Sequence, residues 1–295
     1  VADRYNIIDK PNGRSSHTMI TLRGGGIVFY FAAILYFIFY GFCYPFFIIS
    51  LSLISVISFI DDLRSVPAKL RLAVQLLCVS LVLYELGIFS MGVGIILFSL
   101  FIGVGILNAY NFMDGINGMT GGNNVVLFLT LWYINEQVHF TDSRFILVII
   151  ASLVIFNFFN FRTKAKCFAG DVGALALGVI VFFLMVKLIL ETGNYTYLLL
   201  LAVYGIETGL TIIHRIFLKE NILRPHRKHA FQLLANELGW KHLSVSILYA
   251  TIQAVINIGL IIVSKTYLSF YFWSVCVALI IIYYFFVKRF IKLHE

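Results

Sequence analysis

The feature that most restricts this chain is a recurrence. Ten apolar runs, most about 20 residues long and some shorter, follow one another between short polar connections. They lie near residues 24–42, 44–60, 70–89, 91–109, 122–138, 144–161, 173–190, 195–213, 243–263 and 267–287. Runs this long and this uniformly apolar are not alternating barrel strands. Backbone groups in hydrocarbon must also be satisfied within their own segment, so each run is expected to be a helix. A content of 61% hydrophobic and 12% charged residues, with mean hydropathy +0.95 over 295 residues, excludes an ordinary soluble domain. The fold class is therefore all-α: a polytopic membrane protein of about ten transmembrane helices joined by short loops, forming one transmembrane domain over 1–295. The opening stretch, Val1 to Arg23, is polar and has no signal-peptide pattern. Cys43, Cys78, Cys167 and Cys276 have no metal-ligand spacing, fall within or beside apolar runs, and read as reduced packing residues.

An even number of spans puts both termini on one side. All but three of the 22 Lys and Arg residues fall on that side, the exceptions being Arg144, Lys187 and Lys265. Lys187 is expected to reach towards the outer interface. The positive-inside rule makes the basic side cytoplasmic. The net charge of +8 then suits anionic headgroups or an anionic substrate, and implies no nucleic-acid partner. Topology asks little of acids, yet six of the seven aspartates share the basic side: Asp3, Asp9, Asp61, Asp62, Asp114 and Asp171. Carboxylates among cations at a membrane surface suggest a divalent metal and a phosphorylated ligand. Neutralisation of loop lysines is the alternative, and the better one for Asp3 and Asp9.

Four polar connections carry the candidate chemistry. Asp61-Asp62 end an apolar run, and their mutual repulsion is relieved by a raised pKa, a nearby cation or Mg2+; a helix-terminating charged pair is the plain alternative. The stretch from Asn108 to Gly122 has no Lys or Arg but holds Asn108, Asn111, Asp114, Asn117 and four glycines, which suits binding of a base or sugar. In Lys164 to Gly173, Asp171 opens the next span. A helix starting near Val172 would aim its amides at a pyrophosphate beside any metal on Asp171, and Asp171 also reads as an N-cap. The longest cytoplasmic connection holds Arg224-Pro-His226-Arg227-Lys228-His229, a cationic patch for phosphates or a topological anchor. Arg14, His17 and Arg23 belong to a fifth, opening loop. Glu207 is the main acid within a span, read as an interhelical hydrogen bond or an ion pair with Arg215.

The order and sidedness of these motifs resemble one family, the polyprenyl-phosphate N-acetylhexosamine-1-phosphate transferases. The resemblance rests on Asp-Lys-Pro-Asn-Gly-Arg-Ser-Ser-His with Arg-Gly-Gly, then Asp-Asp, Asn-Phe-Met-Asp-Gly-Ile-Asn-Gly, Phe-Ala-Gly-Asp-Val-Gly and Arg-Pro-His-Arg-Lys-His. These forms are more similar to the branch that initiates O-antigen, capsule and related glycans than to the peptidoglycan branch. The resemblance implies transfer of a sugar-1-phosphate from a UDP-N-acetylhexosamine, UDP-GlcNAc first among them, to undecaprenyl phosphate with release of UMP. It implies Mg2+, with Mn2+ as the alternative, and residence in a bacterial inner membrane with the site facing the cytoplasm; a homodimer is compatible with it. It makes Asp171, assisted by Asp62, the metal residue, and Asp61 and Asp62 the pair that handles the lipid phosphate. Phe168 becomes the aromatic that stacks on uracil, Asp114 and Asn117 part of the nucleoside loop, and His226 and His229 contacts to phosphates or sugar. Asp61, Asp62, Asp114, His226 and His229 are thus the catalytic candidates. Arg14, His17, Arg23, Asn108, Asn111, Asn117, Phe168, Arg224 and Arg227 are the substrate-binding candidates.

Asn117 stands where many members carry Asp, and Phe161 where Asn is frequent, with Asn160 beside it. The family usually has a further span before the first loop, which this chain is expected to lack. A peptidoglycan-type transferase is the nearest alternative. A transporter or flippase is the alternative of another class, opposed by spans nearly bare of ionisable groups.

Overall fold

The computed structural model describes residues 8–9, 21–221 and 227–290. Each apolar run forms a helix: α1 (Ile27–Tyr40), α2 (Pro45–Leu63), α3 (Ala68–Glu85), α4 (Val93–Met113), α5 (Met119–Val138), α6 (Ser143–Asn160), α7 (Gly170–Thr192), α8 (Ala202–Phe217), α10 (His242–Ile262) and α11 (Leu268–Lys288). A three-residue turn, α9 (Ala230–Gln232), comes from the long polar connection. Among the described residues, seven segments are long and apolar enough to cross a membrane: α2, α4, α6, α7, the stretch 195–217 that includes α8, α10, and the stretch 265–288 that includes α11. Of the other runs, α1 is a shorter apolar helix, and α3 and α5 are more polar. The outward faces carry exposed Phe39, Phe98, Phe101, Ile262, Phe270 and Phe285, as lipid contact requires.

The bundle is organised around α7, which is buried without interruption from Val172 to Met185 and packs against α1, α2, α3, α4 and α5. A helix apolar on every face belongs at such a centre. The eighth run is not one regular helix. Tyr195–Leu201 is a 3-10 turn that passes into α8 at Ala202. Within the apolar interior the disturbed backbone is paired by a side chain of α10: Gln253 Oε1 accepts from Val203 N at 3.1 Å, and its Nε2 donates to Leu199 O at 2.9 Å. At the end of the bundle remote from Asp61, Asp62, Asp114 and Asp171, Lys187 Nζ donates to the Tyr44 hydroxyl at 2.6 Å, so its charge is held by a protein partner.

Short pairings tie the opening segment to the start of α7. Strands β1 (Ile8–Asp9) and β2 (Thr21–Leu22) are antiparallel, and Leu22 forms a parallel bridge with Cys167. Phe168 N donates to Leu22 O at 2.8 Å, Gly25 N to Phe168 O at 2.9 Å, and Gly26 N to Ala169 O at 3.1 Å. Gly26 and Gly173 then meet backbone to backbone: a Cβ on Gly26 would lie 2.4 Å from the Gly173 Cα. Gly26→Ala should therefore lower stability by about 1–3 kcal/mol. Gly205→Ala in α8, where a Cβ meets nothing within 4 Å, should be neutral or stabilising by up to about 1 kcal/mol. Thermal unfolding of both variants in detergent checks the pair; equal melting temperatures would contradict the packing.

Candidate active site

Asp61 and Asp62 end α2, Asp114 follows α4, and Asp171 lies in the first turn of α7; packing brings these helix ends together. The Asp62 side chain is only 2% exposed. Its Oδ1 accepts from Asp171 N at 3.1 Å and its Oδ2 from Val172 N at 3.2 Å. A carboxylate from another helix thus caps α7, matching negative charge to the positive helix end. The Gly170 N–H hydrogen-bonds Asp114. Gly170 takes φ +71°, and a side chain there would meet Asp62 Oδ2 at 2.7 Å and Gly24 N at 2.9 Å.

This arrangement corrects two expectations. The helix starts at Gly170, its N-cap is Ala169, and the capping side chain is that of Asp62, not Asp171. The amides of Asp171 and Val172 are committed to Asp62, so they are not aimed at a pyrophosphate.

Asp61 accepts from Val66 N at 2.6 Å and from Arg71 Nη1 at 2.8 Å. The same guanidinium nitrogen lies 3.8 Å from Asp171 Oδ2, and the Asp61 and Asp171 carboxyls are within hydrogen-bond reach of each other. Asn111 Nδ2 donates to Asp171 Oδ1 at 2.9 Å. Asp171 is 33% exposed against 7% for Asp61 and 2% for Asp62, which makes it the most reachable of these three carboxylates. Arg23 Nη1 stands 4.0 Å from Asp62 Oδ1. Arg71 entered the sequence reading only as a topological charge. Its one signal was the i, i+4 spacing to Gln75, which places both on one face of α3.

The Asn108–Gly122 stretch is mostly helical, with α4 running to Met113 and α5 starting at Met119. Asn108 is on α4 and donates to Gln75 Oε1 at 2.9 Å and Val104 O at 2.8 Å, so its amide joins α4 to α3. Asn117 is buried; its Nδ2 donates to Arg162 O and Thr163 O at 2.9 and 3.1 Å, fastening the turn before α5 to the loop after α6. Asn160 continues that fastening, its Oδ1 accepting from Gly118 N and its Nδ2 donating to Cys167 O, both at 2.8 Å. The Phe161 ring covers Gly118 and Gly122. Phe168 is half-buried, its backbone held between Leu22 and Gly25.

His229 is buried, its ring stacked on Phe231 at 5.7 Å and 5.8 Å from that of Phe112. Glu207 accepts from Phe231 N at 3.3 Å and from the Tyr249 hydroxyl, while Arg215 pairs with Glu220 at 3.0 Å. Of the two readings of Glu207, the interhelical hydrogen bond is the one the structure shows, through Tyr249 of α10, while Arg215 pairs with Glu220 instead. Arg227 is half-buried; Arg14, His17, Arg224 and His226 lie outside the described residues.

Burial pushes the Asp114 carboxyl up to about 6; the Thr120 hydroxyl, which donates to it at 2.6 Å, opposes the shift, and the nearby Asp62 adds to it. Between the ordinary carboxylate value of 3.8 and about 6, the folded chain binds more protons at Asp114 than the unfolded chain does. This group therefore takes stability away as pH rises through that window and takes no more above it. The wild-type melting temperature minus that of Asp114→Asn should fall between pH 4 and pH 6 and then level off. A flat difference would contradict the shift.

Two comparisons bear on this geometry. The family model of glycosyl transferase family 4 matches residues 44–189, the span that contains Asp61, Asp62, Arg71, Asn111, Asp114 and Asp171. An undecaprenyl-phosphate alpha-N-acetylglucosaminyl 1-phosphate transferase of Thermotoga maritima is 24% identical over 288 residues, 96% of this chain and 90% of that protein. A phospho-N-acetylmuramoyl-pentapeptide-transferase of Lactococcus lactis subsp. cremoris is 34% identical over 236 residues, 69% of this chain and 70% of that protein. With the matched residues assembled at one end of a helical bundle and relatives of this identity and coverage, the chain belongs to glycosyl transferase family 4.

Proposed function

We propose that this membrane enzyme is a phosphosugar transferase that moves N-acetylglucosamine-1-phosphate from UDP-GlcNAc to undecaprenyl phosphate at the inner face of a bacterial cytoplasmic membrane, starting a cell-surface glycan. The observation that carries the reading is the reachable Asp171 carboxylate, held by Asn111 beside Arg71 and Asp61, at the centre of an acid cluster that also has Arg23 at its edge. Sidedness supports it, because Arg64, Lys69, Arg162, Lys164 and Lys166 flank the same helix ends.

The donor set fits magnesium. Asp61 and Asp171 bring two carboxyls within hydrogen-bond reach, and the single Arg71 guanidinium against them balances only part of the negative charge that they, Asp62 and Asp114 supply. Among the described residues no three His, Cys, Asp or Glu side chains form a protein-only metal centre. Mg2+ is commonly held by one or two carboxylates, with water and substrate phosphates as its other ligands. Asp171 would hold it, Asp61 would assist, and the ion would neutralise phosphate charge. Asp62, with both oxygens on α7 amides, has the job of holding Asp171 in place.

The reaction needs positioning more than proton transfer. An oxygen of the acceptor phosphate bonds to the β-phosphorus of the donor. The bond from that phosphorus to the bridging oxygen breaks, and UMP leaves with the electron pair. The acceptor monoester is largely ionised near neutral pH, so no strong base is required. Arg71 and Arg23 are placed to attract the phosphates. The higher identity to the pentapeptide transferase supports a second reading, with a UDP-muramoyl-peptide donor.

The test supplies membranes carrying the chain with undecaprenyl phosphate, Mg2+ and, separately, UDP-GlcNAc, UDP-GalNAc and UDP-MurNAc-pentapeptide. UMP should appear only with acceptor present, fastest with UDP-GlcNAc, and stop on chelation. Asp171→Asn should cut turnover about 100-fold or more with an unchanged melting temperature. Asp62→Asn should lose turnover and also melt several degrees lower, because an amide cannot accept both α7 bonds. Near-normal UMP release by Asp171→Asn would sink the assignment.

A further inference from the structure

We infer that Glu207 is a positioning residue of the transfer site, fixing the His229–Gln232 turn against the Asp114–Gly115 turn; the inference rests on the functional reading above. Glu207 is 6% exposed in the interior of α8. A carboxylate is expensive there unless each oxygen has partners. Its Oε1 accepts from Phe231 N at 3.3 Å and stands 3.8 Å from His229 Nδ1, and its Oε2 accepts from the Tyr249 hydroxyl of α10. One acid thus caps the turn that carries His229 and anchors it to two long helices.

That turn bears directly on the acid cluster. The Phe231 ring presses on Gly115, where a Cβ would lie 2.8 Å from it, and Gly115 follows Asp114 in the chain. The His229 ring sits between Phe231 and Phe112, the latter in the last turn of α4. A second clamp works on the residues before the turn: Glu220 pairs with both Arg215 of α8 and Lys228. A purely interhelical role for Glu207 would need only Tyr249. The bond to Phe231 N is the one that reaches the site.

The experiment uses the full chain in nanodiscs and compares Glu207→Ala, Glu207→Gln and Tyr249→Phe. The first readout, trypsin cleavage after Arg227 and Lys228, is independent of activity. The second is kcat and KM for UMP release from UDP-GlcNAc. Glu207→Ala should be cut about tenfold faster and lose about tenfold or more in kcat, with KM for the donor changing less than about threefold. Glu207→Gln should stay within about threefold of wild type in both, because its amide oxygen still accepts from Phe231 N and its NH2 group donates to the Tyr249 oxygen. A protected turn in Glu207→Ala, an exposed turn with unchanged kcat, or a Gln variant as impaired as the Ala variant would each overturn the inference. If Glu207→Ala does not fold, Tyr249→Phe decides: a smaller effect of the same kind supports the inference, and none in either readout overturns it. If wild-type chain releases no UMP from any donor, the functional reading falls, while the cleavage data still decide whether Glu207 holds the turn.

Discussion

The Asp62 carboxylate on the first amides of α7 is the contact on which the site depends. It spans more than 100 residues of sequence and joins the end of one helix to the beginning of another. Membrane helices are continuous hydrogen-bonded cylinders, so their unsatisfied polar groups are concentrated at the ends. Where α2 and α7 meet, the donors of one end are satisfied by the side chain of the other, and the positive end of α7 attracts the negative charge that caps it. Asp171, one residue into that turn, is thereby set beside Arg71, Asp61 and Asn111 instead of moving with a loop.

The same device recurs. Glu85, the last residue of α3, accepts from Phe46 N at 2.6 Å and Phe47 N at 3.1 Å and so caps α2 at the opposite end of the bundle. Glu207 does the same for the short turn at Ala230–Gln232. In all three cases the cap comes from another helix. Each cap therefore also fixes the position of two elements relative to each other, a constraint that lipid-like packing alone supplies weakly. The acids that look most like chemistry in the sequence divide accordingly. Asp62 caps α7 and is nearly buried, whereas Asp171 keeps a more exposed carboxylate.

The helices were legible because a period needs no tertiary information, and each of the ten apolar runs coincides with a helix. The eighth run misled over its first turn, where Gln253, distant in sequence, pairs the irregular backbone from Leu199 to Val203. Site composition was legible too, because Asp61, Asp62, Asp114 and Asp171 have no reason to gather on the basic side for topology alone. The roles of the amides were not. Asn108, Asn117 and Asn160 are as suited to backbone carbonyls and neighbouring side chains as to a nucleotide, and in the fold Asn108 joins α4 to α3 while Asn117 and Asn160 tie the turn before α5 to the loop after α6.

The sequence by itself determined that the chain is a bundle of membrane helices with six of its seven aspartates on the basic side, since both properties are sums over local residues. It also carried the motif order that places the chain in its family. Only the tertiary structure decided which acid faces a ligand, which acid caps a helix, and that Arg71 belongs with Asp61 and Asp171. The physical reason is that a carboxylate's function is set by the donors around it, and those donors come from segments that only packing brings together.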